Sequence, residues 1–92
     1  MGSIHIARSH RLSAAELDTL VDDLSGQLAQ EYQLRIQKRG DAVHFSRNGA
    51  RGTLLPGPSH VEITLELGFL LRPFRDGIHQ AIERQLDALL GG

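Results

Sequence analysis

From Val61 to Phe74 the chain reads Val-Glu-Ile-Thr-Leu-Glu-Leu-Gly-Phe-Leu-Leu-Arg-Pro-Phe, an alternating strand that runs straight into a helix start. Val61, Ile63, Leu65 and Leu67 fall on one face and Glu62, Thr64 and Glu66 on the other, the pattern of a half-buried strand. Such a strand needs neighbours along its edges and an apolar layer over one face. The junction therefore constrains architecture strongly, while no catalytic motif stands beside it.

Upstream, Ile4 and Ile6 alternate with His5 and Ala7 in a short first strand, which ends where Ser9 to Arg11 become polar. Ser13 and Glu16 have the spacing of a capping box, with Leu12 and Leu17 placed as a hydrophobic staple. Leu17, Leu20, Val21, Leu24, Leu28 and Tyr32 then follow at spacings of three and four, one apolar stripe along a long helix that Gly26 weakens slightly. The period next changes to two. Leu34, Ile36, Val43 and Phe45 point one way, while Arg35, Gln37, His44 and Ser46 point the other. Gly40-Asp41 and Asn48-Gly49 mark turns, the latter suited to the positive φ angles of a tight hairpin. A strand around Ala50 to Leu55 precedes the reversal at Pro56-Gly57-Pro58-Ser59. The last helix is expected to start near Arg72, with Pro73 in its first turn and an apolar face of Phe74, Ile78, Ala81, Ile82, Leu86, Leu89 and Leu90. The expected fold is α+β: an antiparallel sheet of four to five strands in β-α-β-β-β-β-α order, with both helices packed on one face.

At 92 residues the chain is read as a single domain, residues 1–92, without a second lobe. With no cysteine, its stability rests on the hydrophobic core, as suits a reducing compartment. The segment Met1-Gly2-Ser3-Ile4-His5-Ile6 lacks the basic and long apolar regions of a signal peptide, and Ile6 stands where a myristoylation signal needs Ser or Thr. No segment reaches the length of a membrane span, so a cytoplasmic protein is expected. Ten Lys and Arg against eleven Asp and Glu give no global positive field for nonspecific nucleic-acid binding.

Parity places His5, His44, His60 and Glu62 on the outward pleat, a polar patch with zinc-ligand chemistry. No two of these residues share the short local spacing of a zinc motif, and no metal site is assigned. Arg35, Lys38, Arg39, Arg47 and Arg51 form a basic group near neighbouring turns, read as a soluble outer face partly paired with Glu62 and Glu66. Asp18, Asp22 and Asp23 suit the positive end of the first helix and lack the loop spacing of a calcium motif. No glycine-rich phosphate loop or nucleophile elbow is present, and no catalytic or cofactor-binding residue is assigned. Leu89-Leu90-Gly91-Gly92 looks like the tail of a ubiquitin-like modifier but follows a helix, and is read as a helix stop with a frayed end. Phe69, Leu70 and Leu71 cannot all be buried by strand parity and helical phase. Either they close the end of the core, or Phe69, Leu70, Leu71, Arg72, Phe74 and Arg75 form an apolar and basic interaction surface.

Ile4-His5-Ile6 with His10, Gly40-Asp41-Ala42-Val43-His44-Phe45, and above all Leu67-Gly68-Phe69-Leu70-Leu71-Arg72-Pro73-Phe74 followed by Ile82-Glu83-Arg84-Gln85-Leu86-Asp87 carry a resemblance over nearly the whole chain. The chain resembles the polyhydroxyalkanoic acid system family, also described as polyhydroxyalkanoate granule-region proteins. That resemblance implies a bacterial protein with a role around polyester synthesis or storage granules, and brings no catalytic residues with it. The expected function is that of a non-enzymatic accessory protein binding the granule surface or a granule-associated protein, in the cytoplasm at storage granules. Helical stripes that the sheet consumes favour attachment through a protein, whereas exposure of Phe69 or Leu71 would favour direct contact. The alternatives are a module for a small apolar or acyl ligand lined by Phe45, Leu65, Phe69 and Phe74, and, less favoured, an RNA-associated module using Arg35 and Arg39. Sheet edges that need pairing or protection leave a homo-oligomer open.

Overall fold

In a computed structural model, which describes residues 3–90, the chain runs β1 (Ser3–Ser9), α1 (Ala14–Tyr32), β2 (Arg35–Arg39), β3 (Ala42–Arg47), β4 (Ala50–Pro56), β5 (His60–Leu67), a 3-10 turn (Arg72–Phe74) and α2 (Arg75–Leu89). The expected β-α-β-β-β-β-α order is the observed one. Met1-Gly2 and the Gly91-Gly92 end, where the frayed tail was expected, lie outside the described residues.

The strands form one antiparallel sheet in the order β1-β5-β4-β3-β2. Four antiparallel steps separate the two edges, so β1 and β2 run in the same direction. Their connection must cross the sheet, and α1, with 19 residues, makes that crossing. Its start is the expected capping box: Ser13 Oγ accepts from the Glu16 N–H at 3.2 Å and the Glu16 carboxylate accepts from the Ser13 N–H at 2.9 Å. Ahead of it, His10 Nδ1 accepts from the Leu12 N–H at 3.1 Å, which leaves Nε2–H to donate to the Gly57 carbonyl at 2.7 Å. One imidazole thus ties the β1–α1 loop to the β4–β5 turn.

Both helical stripes are buried against the same sheet face. Leu20, Val21, Leu24 and Leu28 of α1 and Ile78, Ile82 and Leu86 of α2 pack with Ile4, Ile6, Val43, Phe45, Leu54, Val61, Ile63, Leu65 and Leu67 in one cluster. Each fully buried aliphatic side chain of this kind stabilises the fold by about 1.5–3 kcal/mol, which is how a chain without disulfides holds together. Among the described residues the opposite sheet face carries no helix. Ile36 keeps its expected parity, pointing toward the helix layer, but is 41% exposed, because β2 is an edge strand whose residues are all exposed. At the Asn48-Gly49 turn only Gly49 has positive φ, at 86°, so Asn48 does not adopt the left-handed conformation expected of it.

Charged side chains guard both edges. Arg8 reaches from the helix side of β1 to Glu83 at 2.9 Å and Asp87 at 3.3 Å, and Lys38 reaches from β2 to Asp22 at 2.8 Å. Inward-pointing charges on edge strands disfavour pairing with another chain through the edge.

Candidate interaction site

The corner between β5 and α2 is built on two glycines. Gly68 N–H donates to the Gly49 carbonyl at 2.6 Å, and a Cβ on Gly68 would stand 3.1 Å from that oxygen and 3.2 Å from Gly49 Cα. The β3–β4 turn therefore packs backbone to backbone on the end of β5, an approach that a side chain at residue 68 would force apart. The chain then reverses around the Gly68 carbonyl, which accepts from Leu71 N–H at 3.1 Å and Arg72 N–H at 3.2 Å. Pro73 sits in the 3-10 turn, where its missing N–H leaves no bond unmade. The last helix thus begins as a 3-10 turn at Arg72 and becomes α-helical only at Arg75.

This reversal sends one of the three consecutive apolar side chains inward. Leu71 meets Tyr32, Leu34, Ala50, Leu65, Leu67 and Ile78 around a void of about 40 Å³ and closes the end of the core. Phe69 and Leu70 do not close it, being 81% and 79% exposed. Phe74, expected on the buried face of the last helix, is 60% exposed, because the 3-10 turn rotates it out of phase with Ile78, Ile82 and Leu86. Together the three present apolar surface on the order of 400 Å², a size at which a patch on a protein surface is often functional. Arg72 is exposed beside them and has no ion pair among the described residues. Arg75 is anchored, donating from Nε to the Ser3 carbonyl at 2.8 Å and from Nη1 to Asp76 at 3.1 Å.

The outward polar patch divides. His5 Nε2 and His60 Nε2 each lie 3.3 Å from a different Glu62 oxygen. His44 stands apart, since the register runs His44–Thr53–Thr64–His5 across β3, β4, β5 and β1, three strand spacings or about 14 Å. The four residues share a face but not a site, and among the described residues no group of three or more His, Cys, Asp or Glu is arranged to hold a metal ion.

Hydrogen bonds from His5 and then His60 hold the Glu62 carboxyl below the usual range, and those from the Ser13 backbone and hydroxyl do the same for Glu16. For both groups the folded value is depressed, so their contribution to stability is present above the unfolded value of about 4.3 and lost as pH falls through the lower folded value. Glu62→Gln is expected to show a shallower loss of stability on acidification below about pH 4.3, read by urea unfolding at a series of pH values. A slope identical to that of the unmodified protein would mean that the histidines do not hold this carboxylate in solution.

The basic group also divides. Lys38 and Arg39 end β2 near the Gly40-Asp41 turn, while Arg35, Arg47 and Arg51 lie at the opposite end, on either side of the Asn48-Gly49 turn that packs against Gly68. Arg47 Nη1 donates to the Tyr32 carbonyl at 2.7 Å, satisfying the C-terminal end of α1 where a cation is favoured. The arginines of the meander and those of the α2 corner thus occupy one end of the molecule.

A family model described as "Putative polyhydroxyalkanoic acid system protein" matches residues 4–90. The chain belongs to that family. The structure titled "NMR structure of PA4090 from Pseudomonas aeruginosa" is similar in fold, with a TM-score of 0.62 at 11% identity over 100% of this chain and 88% of that one. No curated protein matches the sequence. The residues that carried the resemblance perform distinct tasks. His10 joins two loops and Gly68 with Leu71 builds the corner, whereas the side chains of Phe69, Leu70 and Arg72 are exposed and make no comparable fold contact among the described residues. The clustering of Arg35, Arg47 and Arg51 with them has no local sequence signal, because it depends on the register of three strands.

Proposed function

We propose that this polyhydroxyalkanoic acid system protein is a non-enzymatic accessory of the polyester storage system that attaches directly to the granule surface through Phe69, Leu70 and Phe74. The observation that carries this reading is the exposure of Phe69 and Leu70 on a corner whose backbone is held by Gly68. Holding large apolar groups in water is unfavourable, and a solid apolar polymer surface removes that cost on contact. The two helices offer no second coating surface, since their apolar stripes are taken up by the sheet. Ile36 and Leu55, the other large exposed apolar residues among those described, stand singly on β2 and β4. Among the described residues no helix is long and apolar enough to cross a membrane. The reading places the protein in the cytoplasm, at storage granules.

The alternatives fit less well. An acyl-ligand module needs an enclosed, mainly apolar cavity of roughly 300 Å³ or more, but Phe45 and Leu65 are packed in the core, Phe69 and Phe74 point away from it, the apolar void beneath Leu71 is about 40 Å³, and the larger grooves, of about 430 and 470 Å³, are open and carry charged side chains such as Arg39, Arg51 and Glu66 in one and Asp18, Asp22 and Lys38 in the other. An RNA-binding sheet needs aromatic stacking platforms, and Phe45, the aromatic of the meander, faces the helices. The deciding experiment is co-sedimentation of the folded protein with native granules and with granules stripped of protein. Equal sedimentation with both is expected. Sedimentation with native granules alone would replace the polymer with a protein partner, and sedimentation with neither would overturn the reading.

A further inference from the structure

The charges of the chain are sorted along its strands. At the Phe69 end stand Arg35, Arg47, Arg51, Arg72 and Arg75, contributed by β2, β3, β4, the 3-10 turn and α2. Of the carboxylates at that end, Glu66 pairs with Arg51 at 3.7 Å and Asp76 with Arg75 at 3.1 Å, while Glu31, next to Tyr32, accepts from Gln85. Arg35, Arg47 and Arg72 have no carboxylate partner among the described residues. The far end carries Glu16, Asp18, Asp22, Asp23 and Asp41 against Arg11, Lys38 and Arg39. A chain whose formal net charge is only −1 is thus a lengthwise dipole, with its exposed apolar side chains at the positive pole.

A neutral polymer gives arginines nothing to pair with. An apolar wedge with long cationic side chains spread across the same end of the molecule instead matches an interface where acyl chains lie beneath anionic headgroups, with guanidinium groups snorkelling to the phosphates. We infer that the surface this end recognises is a layer of anionic phospholipid, in which Phe69, Leu70 and Phe74 insert while Arg35, Arg51 and Arg72 contact headgroups, and that the acidic far end keeps the molecule upright by repulsion. The inference rests on the proposed use of the Phe69 corner and names the chemistry of the surface it meets.

The test compares vesicles of phosphatidylcholine alone with vesicles containing one third phosphatidylglycerol, alongside lipid-free polyester particles. Of the two kinds of vesicle, tight binding is expected only to the anionic ones, and it should weaken as salt is raised. Arg35→Gln/Arg51→Gln/Arg72→Gln should reduce anionic-vesicle binding about 100-fold, roughly fivefold per arginine, while changing polyester binding less than about threefold. Arg47 and Arg75 are left in place because they hold the Tyr32 and Ser3 carbonyls. Equal binding to neutral and anionic vesicles, or a triple variant as tight as the parent, would overturn the lipid inference while particle binding still upheld the corner as the attachment site. Failure of the parent protein to bind particles or vesicles would overturn both.

Discussion

Replacing Phe69 and Leu70 together by serine is expected to lower affinity for protein-free polyester particles by about 100-fold and to leave the unfolding transition where it is. The two effects separate because the side chains do separate jobs. Both are about four-fifths exposed in the free protein, so their removal takes little from the core, and surface changes of this kind usually stay within about 0.5 kcal/mol. On a surface that covers them, each large apolar side chain removed from water contributes about 1.5–3 kcal/mol, and two of them exceed the roughly 2.8 kcal/mol that corresponds to 100-fold. Leu71→Ser is the matched contrast, since Leu71 closes the core beside Ile78 and Leu65; its cost should appear in stability. Particle sedimentation and thermal melts on the same preparations read both quantities. A double serine variant that binds as tightly as the parent would remove the corner from the attachment site.

The same substitution, glycine to alanine, is expected to act in opposite directions at two positions. Gly52 lies in β4 between Phe45 on β3 and Leu65 on β5. A Cβ there would overlap the Thr64 carbonyl oxygen and come within 2.8 Å of Leu65 Cδ1. Backbone cannot yield as a flexible side chain does, and Gly52→Ala is expected to cost about 3 kcal/mol. Against a total stability of about 5–14 kcal/mol for a domain of this size, that lowers the melting temperature by roughly 15 °C. Gly26, in the middle of α1, has nothing within 4 Å of where its Cβ would be. There alanine only removes backbone freedom from the unfolded chain, a gain of about 0.5–1 kcal/mol. Circular-dichroism melts decide the matter, and a Gly52→Ala protein as stable as the parent would show that the strands around it are not so closely packed.

The strand at Val61–Leu67 and the helix at Ala14–Tyr32 were legible because their signals are local. Alternation separates Ile63 from Glu62 whatever the neighbours are, and the Ser13–Glu16 capping box is complete within four residues. Ile36 was not legible, because its burial depends on whether a helix reaches the sheet edge. Phase failed at Phe74 for a related reason: the expected helix was continued back through residues that form a 3-10 turn, where the spacing per turn is different. The outward patch shows the limit of parity, which correctly put His44 with His5 on one face but contained nothing about the strands between them.

The candidate site was half readable. Three consecutive large apolar residues after Leu67 could not all be buried, so at least one had to be accounted for at the surface. Which one went inward was decided by the Gly68 carbonyl, whose hydrogen bonds to Leu71 and Arg72 set the direction of the turn. By itself, then, the sequence determined the element order, the two helical stripes, the family and the existence of a problem at Phe69 to Leu71, because each follows from periodicity or contiguous motif. Only the tertiary structure decided that Leu71 plugs the core while Phe69, Leu70 and Phe74 face water, and that arginines from three strands join them at one end. Those outcomes depend on strand register and on the close approach of Gly68 to Gly49, contacts between residues far apart in the chain that no local pattern encodes.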